Sequence, residues 1–280
     1  MARTFAGSGR ALVVALALAG CVGARADVAS DAPPANEEQH DQRRSMLGTG
    51  YLEKAEVPDS MTLNPPPPAA GSGALARDEE GARDAVSLQG TPRFRLAKVD
   101  ADIFTPDGQS VFSCSAGFVI SEAATPKTNA LLRKTLADLA FSTYPTKTHY
   151  QRKRPFMVNG QPTCTPDHQA MLEKDGSYPS GHSAIGYGWG LILAEVVPDK
   201  AAQLVARGRV FGDSRRVCNV HWLSDVEEGR VVATAVVARL HADPEFRSDL
   251  AAAREEIEQV RGSLPVPDCA LEKAALGGGE

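Results

Sequence analysis

The sequence predicts an all-α, single-domain helical bundle over roughly residues 50–262. Apolar residues recur there at three- and four-residue steps, and no stretch alternates apolar with polar residues as a strand would. Prolines and glycines fall where the periodic segments should start or stop.

Ahead of the bundle, Arg3 and Arg10 precede a short apolar run from Ala11 to Ala19, the layout of a bacterial export signal. The run is shorter than the ~20 apolar residues that span a bilayer. It ends in Leu18-Ala19-Gly20-Cys21, a lipobox-like ending that makes residues 1–21 the signal peptide and Cys21 a lipidated first residue. Ala24-Arg25-Ala26 offers an alternative cleavage after Ala26 and a soluble secreted product. The expected location is the periplasm, with outer-membrane anchoring through Cys21 in the first case. Residues 27–50 are polar and include Pro33 and Pro34, so a flexible spacer is expected. Pro65 to Pro68 favours extended polyproline geometry and reads as a stiff strap.

Within the bundle, Leu132, Leu136, Leu139 and Ala140 share a helix face, and Pro145 interrupts or restarts that helix. Ala184, Ile185, Gly188, Trp189, Ile192 and Val196 mark a second helix, ended by Pro198. Leu204, Val205 and Gly208 lie in a third. Val226 through Leu240 is nearly unbroken Val, Ala and Leu and reads as a buried central helix. A further helix is expected from Phe246 to about Val260, with Asp249, Glu255 and Glu256 on solvated faces. Gly262 and Pro265 stop it, and residues 263–280 form a loose, Gly-rich tail.

The net charge of −5 gives no whole-protein attraction for nucleic acid, so none is expected as a partner, and an anionic substrate must be held by local clusters of Lys and Arg. Oligomeric state is left open, a homo-oligomer included. Setting Cys21 aside, Cys114, Cys164, Cys218 and Cys269 form an even set in a chain bound for an oxidising compartment. Four cysteines allow three connectivities, which the sequence leaves open. The working pairing is Cys164 with Cys218, which flank the site described next, and Cys114 with Cys269.

Three segments combine residue types that phosphate chemistry requires. Lys147 and Arg154 are seven apart, nearly two turns, and share a face if that stretch is helical; read alone, with Arg152 and Lys153, it is a solvated basic face. In Pro179-Ser180-Gly181-His182, Ser180 suits a helix N-cap, Gly181 permits close backbone approach, and His182 stands at the resulting anion site. By itself this is also ordinary turn-and-cap punctuation. In the third segment Arg215 supplies a planar fork for phosphate oxygens, and Asp225, four residues after His221, reaches its ring if both are helical. An oriented neutral imidazole is a competent nucleophile toward phosphorus. No metal is expected, because the potential ligands do not cluster at zinc or calcium spacings and three cations would repel an ion. No cofactor is expected either.

In order, the segments read Lys-x6-Arg-Pro, Pro-Ser-Gly-His and Ser-Arg-x5-His-x3-Asp, matched at eleven positions from Lys147 to Asp225, with Ser214 and Pro155 among them. This pattern resembles the type 2 phosphatidic acid phosphatase (PAP2) superfamily. Lys174 to Tyr178 and His221 to Val226 are similar to the bacterial class A non-specific acid phosphatases, as are the Pro65–Pro68 strap and Leu240 to Pro244. Ser183 stands where that family more often has Thr. The resemblance implies a bundle like the PAP2/vanadium haloperoxidase core and a metal-free acid phosphatase acting on a broad range of small phosphate monoesters. It assigns His221 as nucleophile, Asp225 as its orienter and His182 as acid, then base. It places Lys147, Arg154, Arg215, Ser180 and Gly181 on the phosphoryl oxygens. A protonated His182 beside a neutral His221 is then expected.

Three alternatives are weaker. A membrane lipid phosphatase needs several transmembrane helices, for which this chain has no apolar runs. A vanadium haloperoxidase resembles much longer chains. A non-catalytic phosphate-binding lipoprotein needs neither a nucleophile nor an acid.

Overall fold

The computed structural model describes Met1, residues 47–105 and residues 107–277. Apart from Met1, the signal peptide with Cys21 and all but the end of the 27–50 spacer lie outside the described residues.

Among the described residues there is no strand, and nine helices have seven or more residues: α1 (Gly73–Ser87), α2 (Pro92–Val99), α3 (Pro126–Phe141), α4 (Tyr144–Tyr150), α5 (Gly181–Val196), α6 (Ala201–Val217), α7 (Leu223–Leu240), α8 (Pro244–Val260) and α9 (Ala270–Leu276). Pro145 does restart a helix, in the first turn of α4, where its missing N–H costs nothing. Helices α1 and α2 were not read from the sequence; Ser72 and Thr91 cap them, each accepting a backbone N–H three residues on.

The central element is α5. Ala184, Ile185, Trp189, Ile192, Leu193 and Val196 are buried, and the Trp189 indole N–H donates to Leu132 O at 2.8 Å, so its one polar group is satisfied. Helix α6 lies against α5 at backbone distance. A methyl on Gly208 would sit 2.6 Å from Gly186 O, one on Gly190 2.8 Å from Leu204 O, and one on Gly212 2.9 Å from Ser183 Oγ. These three contacts run antiparallel and set the start of α5 beside the end of α6. Helix α7 approaches the same point: a methyl on Gly229 would meet Ser180 O at 2.5 Å.

Several expectations change. Helix α7 is half-buried, not central: Val226, Val232, Ala233 and Val236 face inward while Val231 is 42% exposed, so an almost unbroken apolar run still divides into two faces. On α8, Glu256 is buried and accepts the N–H groups of Lys127 and Thr128 at 2.8 and 2.9 Å, capping the start of α3. Asp249 accepts the Tyr51 hydroxyl at 2.8 Å. Only Glu255 of the three acids is plainly solvated. The tail is not loose over its described part. Helix α9 packs on α2, Glu272 pairs with buried Arg207 at 3.0 Å, and Cys269 is bonded to Cys114. Chain packing begins before residue 50, since Leu47 is buried, and Asp138 accepts the N–H groups of Tyr51 and Leu52 at 2.9 and 3.0 Å.

Candidate active site

The seven-residue spacing of Lys147 and Arg154 works by a chain reversal. Helix α4 ends at Tyr150, Gln151 takes the left-handed conformation with φ 44°, and Arg154 lies in the extended segment beyond. The expected shared helix face is therefore not what brings the two cations together. Both turn inward and are buried. Lys147 Nζ donates to Gly176 O at 2.7 Å, and Arg154 Nε donates to Leu172 O at 2.9 Å. Asp175 faces both, 3.2 Å from Arg154 and 3.9 Å from Lys147.

At the end of α6 the chain turns back so that Val220 and His221 both donate N–H to Arg215 O at 3.2 and 3.3 Å, with Asn219 left-handed at φ 60°. The Cys164–Cys218 disulfide pins this turn, and the other pair is Cys114–Cys269, so the working connectivity is the one observed. His221 thus precedes α7, and the His–Asp pair forms at a helix entrance and not along a helix. Asp225 accepts the Trp222 N–H at 2.8 Å and faces His221 Nδ1 at 3.3 Å through the same oxygen.

The other ring nitrogen identifies the tautomer. Arg154 lies 3.0 Å from His221 Nε2 and can only donate, so Nε2 holds a lone pair and Nδ1 carries the proton toward Asp225. Burial first, then Arg154, Lys147 and Arg215, hold the His221 pKa well below its ordinary value.

Ser180 caps α5 by accepting the Ser183 N–H at 3.2 Å, and its own N–H donates to Asp225 O at 2.9 Å. Gly181 and His182 follow on the wall of a cavity of about 100 Å³, together with Lys147, Arg154, Arg215 and His221. Ser180 and Asp225 stand behind that wall. His182 Nε2 lies 3.1 Å from Ala101 O, an acceptor, so Nε2 carries its proton and Nδ1 is bare. Burial and the Arg215 charge push the His182 pKa well below its ordinary value as well. Burial, Arg215 and Arg154 thus push the pKa values of both histidines in the same direction.

Arg215 is the most exacting feature. It is 1% exposed, and its Nε and one terminal nitrogen have no hydrogen-bond partner among the described residues. Burial, then the Arg154 charge, lower its pKa to about 9, which leaves it a cation at neutral pH. A buried cation with unmet donors is costly unless an anion completes it.

Sequence reasoning missed several contributors. Arg152, read as part of a solvated basic face, donates to Asp225 at 2.6 Å. Ala101 O orients His182, and Leu47, Phe104 and Met171 join the cavity wall. Ser214 turns away from the cavity and donates to Asp100 at 2.6 Å. Trp222 and Tyr178 are buried outside the cavity, donating to Lys153 O and Pro65 O.

Known proteins resemble this chain over most of its length. The PAP2 superfamily pattern matches residues 129–249. An acid phosphatase of Zymomonas mobilis is 39% identical over 78% of this chain and 83% of its own length. The chain belongs to the PAP2 superfamily. Non-specific acid phosphatases of Providencia stuartii and Salmonella typhimurium are 37% and 38% identical, with 86% of each covered. The PAP2 match spans the helices that carry Lys147, the Ser180–His182 entrance, Arg215 and the His221–Asp225 pair. No helix among the described residues is long and apolar enough to cross a membrane.

Proposed function

We propose that this acid phosphatase hydrolyses a broad range of small phosphate monoesters without a metal, through a phosphorylated His221. The observation that carries the reading is the unprotonated Nε2 of His221, which accepts from Arg154 on the wall of a cavity also lined by Lys147 and Arg215, while Nδ1 faces Asp225. The unmet donors of Arg215 support a phosphoryl group as the occupant.

Nε2 attacks phosphorus in line, the ester P–O bond breaks, and the leaving oxygen takes a proton from His182. A bound phosphoryl group offsets the cations that depress His182 and so lets its Nδ1 hold the proton it must give. Water then yields its proton to His182 and its oxygen to phosphorus, the N–P bond breaks, and inorganic phosphate leaves. Lys147, Arg154 and Arg215, with the Gly181 amide, neutralise the charge that develops on the phosphoryl oxygens. Ser180 serves mainly to cap α5 and aim that amide. The cavity carries its charged groups around the phosphoryl site and is otherwise lined in part by Leu47, Phe104 and Met171, apolar side chains with no polar group to select one alcohol, which supports a broad substrate range.

Export to the periplasm, with Cys21 as lipid anchor, fits the signal-like N-terminus and the two disulfides. Turnover of p-nitrophenyl phosphate with EDTA and with vanadate tests the chemistry. Undiminished rates in EDTA and inhibition by vanadate are expected; EDTA-sensitive turnover that persists in His221→Ala contradicts the reading.

A further inference from the structure

Behind the His221–Asp225 pair lies a second, largely buried layer of charge. Arg152 donates to Asp225 Oδ1 and to Asp78 Oδ2, each at 2.6 Å, and to Ser224 Oγ at 2.8 Å. Asp78 on α1 accepts the Ser224 N–H at 2.7 Å and the Ser224 hydroxyl at 2.6 Å. The Asp78, Arg152 and Asp225 side chains are 1%, 11% and 0% exposed, so solvent screens this row little. The guanidinium also lies 5.3 Å from the Trp222 ring centroid and 5.9 Å from that of Tyr178, within cation–π range of both.

We propose that Arg152 is a positioning residue of the reaction: it neutralises one oxygen of Asp225 so that the other remains an ionised acceptor for His221, and Asp78 sets how much of the Arg152 charge Asp225 receives. The proposal rests on the His221 reading above. Asp225 has two oxygens with separate duties, Oδ1 toward Arg152 and Oδ2 toward His221 and the Trp222 amide. Removing Arg152 takes a positive charge from behind the pair, which eases protonation of His221, and leaves Oδ1 of a buried carboxylate without its charged partner. The other charged groups facing His221 are Lys147, Arg154 and Arg215, with His182 across the cavity and Asp175 on Lys147 and Arg154. Lys147, Arg154 and Arg215 oppose protonation of His221. Arg152 is the cation on the far side of the pair, where it acts on Asp225 without touching substrate.

The pH profile of kcat/KM for p-nitrophenyl phosphate tests this, with wild type, Arg152→Gln, Arg152→Lys and Asp78→Asn. Arg152→Gln should move the acid limb up by about one pH unit, a tenfold loss on that limb, with a smaller loss at neutral pH and KM little changed. Arg152→Lys should restore the limb, though not the full kcat, because an ammonium keeps the charge and lacks the fork. Asp78→Asn should move the limb down, since Arg152 then serves Asp225 alone. That variant keeps Arg152 in place and carries the test if the glutamine variant does not fold. An unmoved limb in Arg152→Gln, or a shift of the same sign in Asp78→Asn, overturns the proposal, whatever happens to kcat. Wild-type enzyme that turns over without phosphorylating His221 sinks the underlying reading instead; a phosphorylated His221 with an unmoved limb sinks the Arg152 assignment alone.

Discussion

Arg215 shows how one residue binds fold to function. Its backbone carbonyl closes the turn that presents His221, and its side chain is a buried cation with two nitrogens that find no partner among the described residues. Arg215→Lys preserves the charge and the α6 helix while losing the planar fork. Because removal of a single preorganised donor to a transition-state oxyanion costs ~10²–10³ in rate, kcat/KM should fall by about that factor, and inorganic phosphate should inhibit more weakly. Steady-state kinetics with phosphate as competitor checks both. Arg215, His182 and His221 were legible because each stands in a short motif whose spacing carries chemical meaning. Arg152 was not: two residues from Arg154 in a run of basic side chains, it looks like a solvated charge until Asp78, some seventy residues earlier, is placed against it. Ala101 was hidden for a different reason, since it contributes only a carbonyl, and any residue supplies one.

The elements bring these residues together because glycines let three helices approach at backbone distance. Gly229 on α7 touches Ser180 O and Gly212 on α6 touches Ser183, so the start of α5 is wedged between the elements that carry Asp225 and Arg215. Gly229→Ala puts a methyl 2.5 Å from a backbone oxygen that cannot rotate away. Overpacking of this kind costs about 1–3 kcal/mol, and here it should also lower kcat by shifting Gly181 and His182. Gly262→Ala, with nothing within 4 Å, is the control and should change neither. Urea unfolding together with kcat separates the two variants. Helices α3, α5, α6, α7 and α8 were readable from periodicity and proline punctuation. The Lys147–Arg154 link was misread because a seven-residue spacing fits a helix as well as a reversal, and only the left-handed Gln151 decides between them. Glu256 looked solvated because a sequence does not show that another helix begins against it.

For the whole molecule, the same buried charges couple stability to pH. His182 and His221 are held below their ordinary pKa in the folded protein, so the unfolded chain binds more protons as pH falls below about 6.5, and stability is lost in that direction. Asp138 acts oppositely. Burial raises its pKa from 3.8 to about 6, so the folded state takes up its proton first and gains stability as pH falls through that window. Two histidines outweigh one aspartate, so Tm should decline from neutral pH toward about pH 5. Asp138→Asn removes the compensating term and should make that decline steeper, as thermal melts across the range would show. A burial-driven shift of this kind is invisible in composition, although the fold class and the even cysteine count that frames the bundle were not.

The account stands on His221 as the atom-bearing nucleophile, and trapping the phosphoenzyme tests it most directly. Enzyme mixed with a phosphorus-labelled monoester and quenched within one turnover should carry acid-labile, alkali-stable label on the peptide containing His221, and His221→Ala should carry none. Label that persists in that variant, or a wild-type burst with no label on His221, contradicts the account.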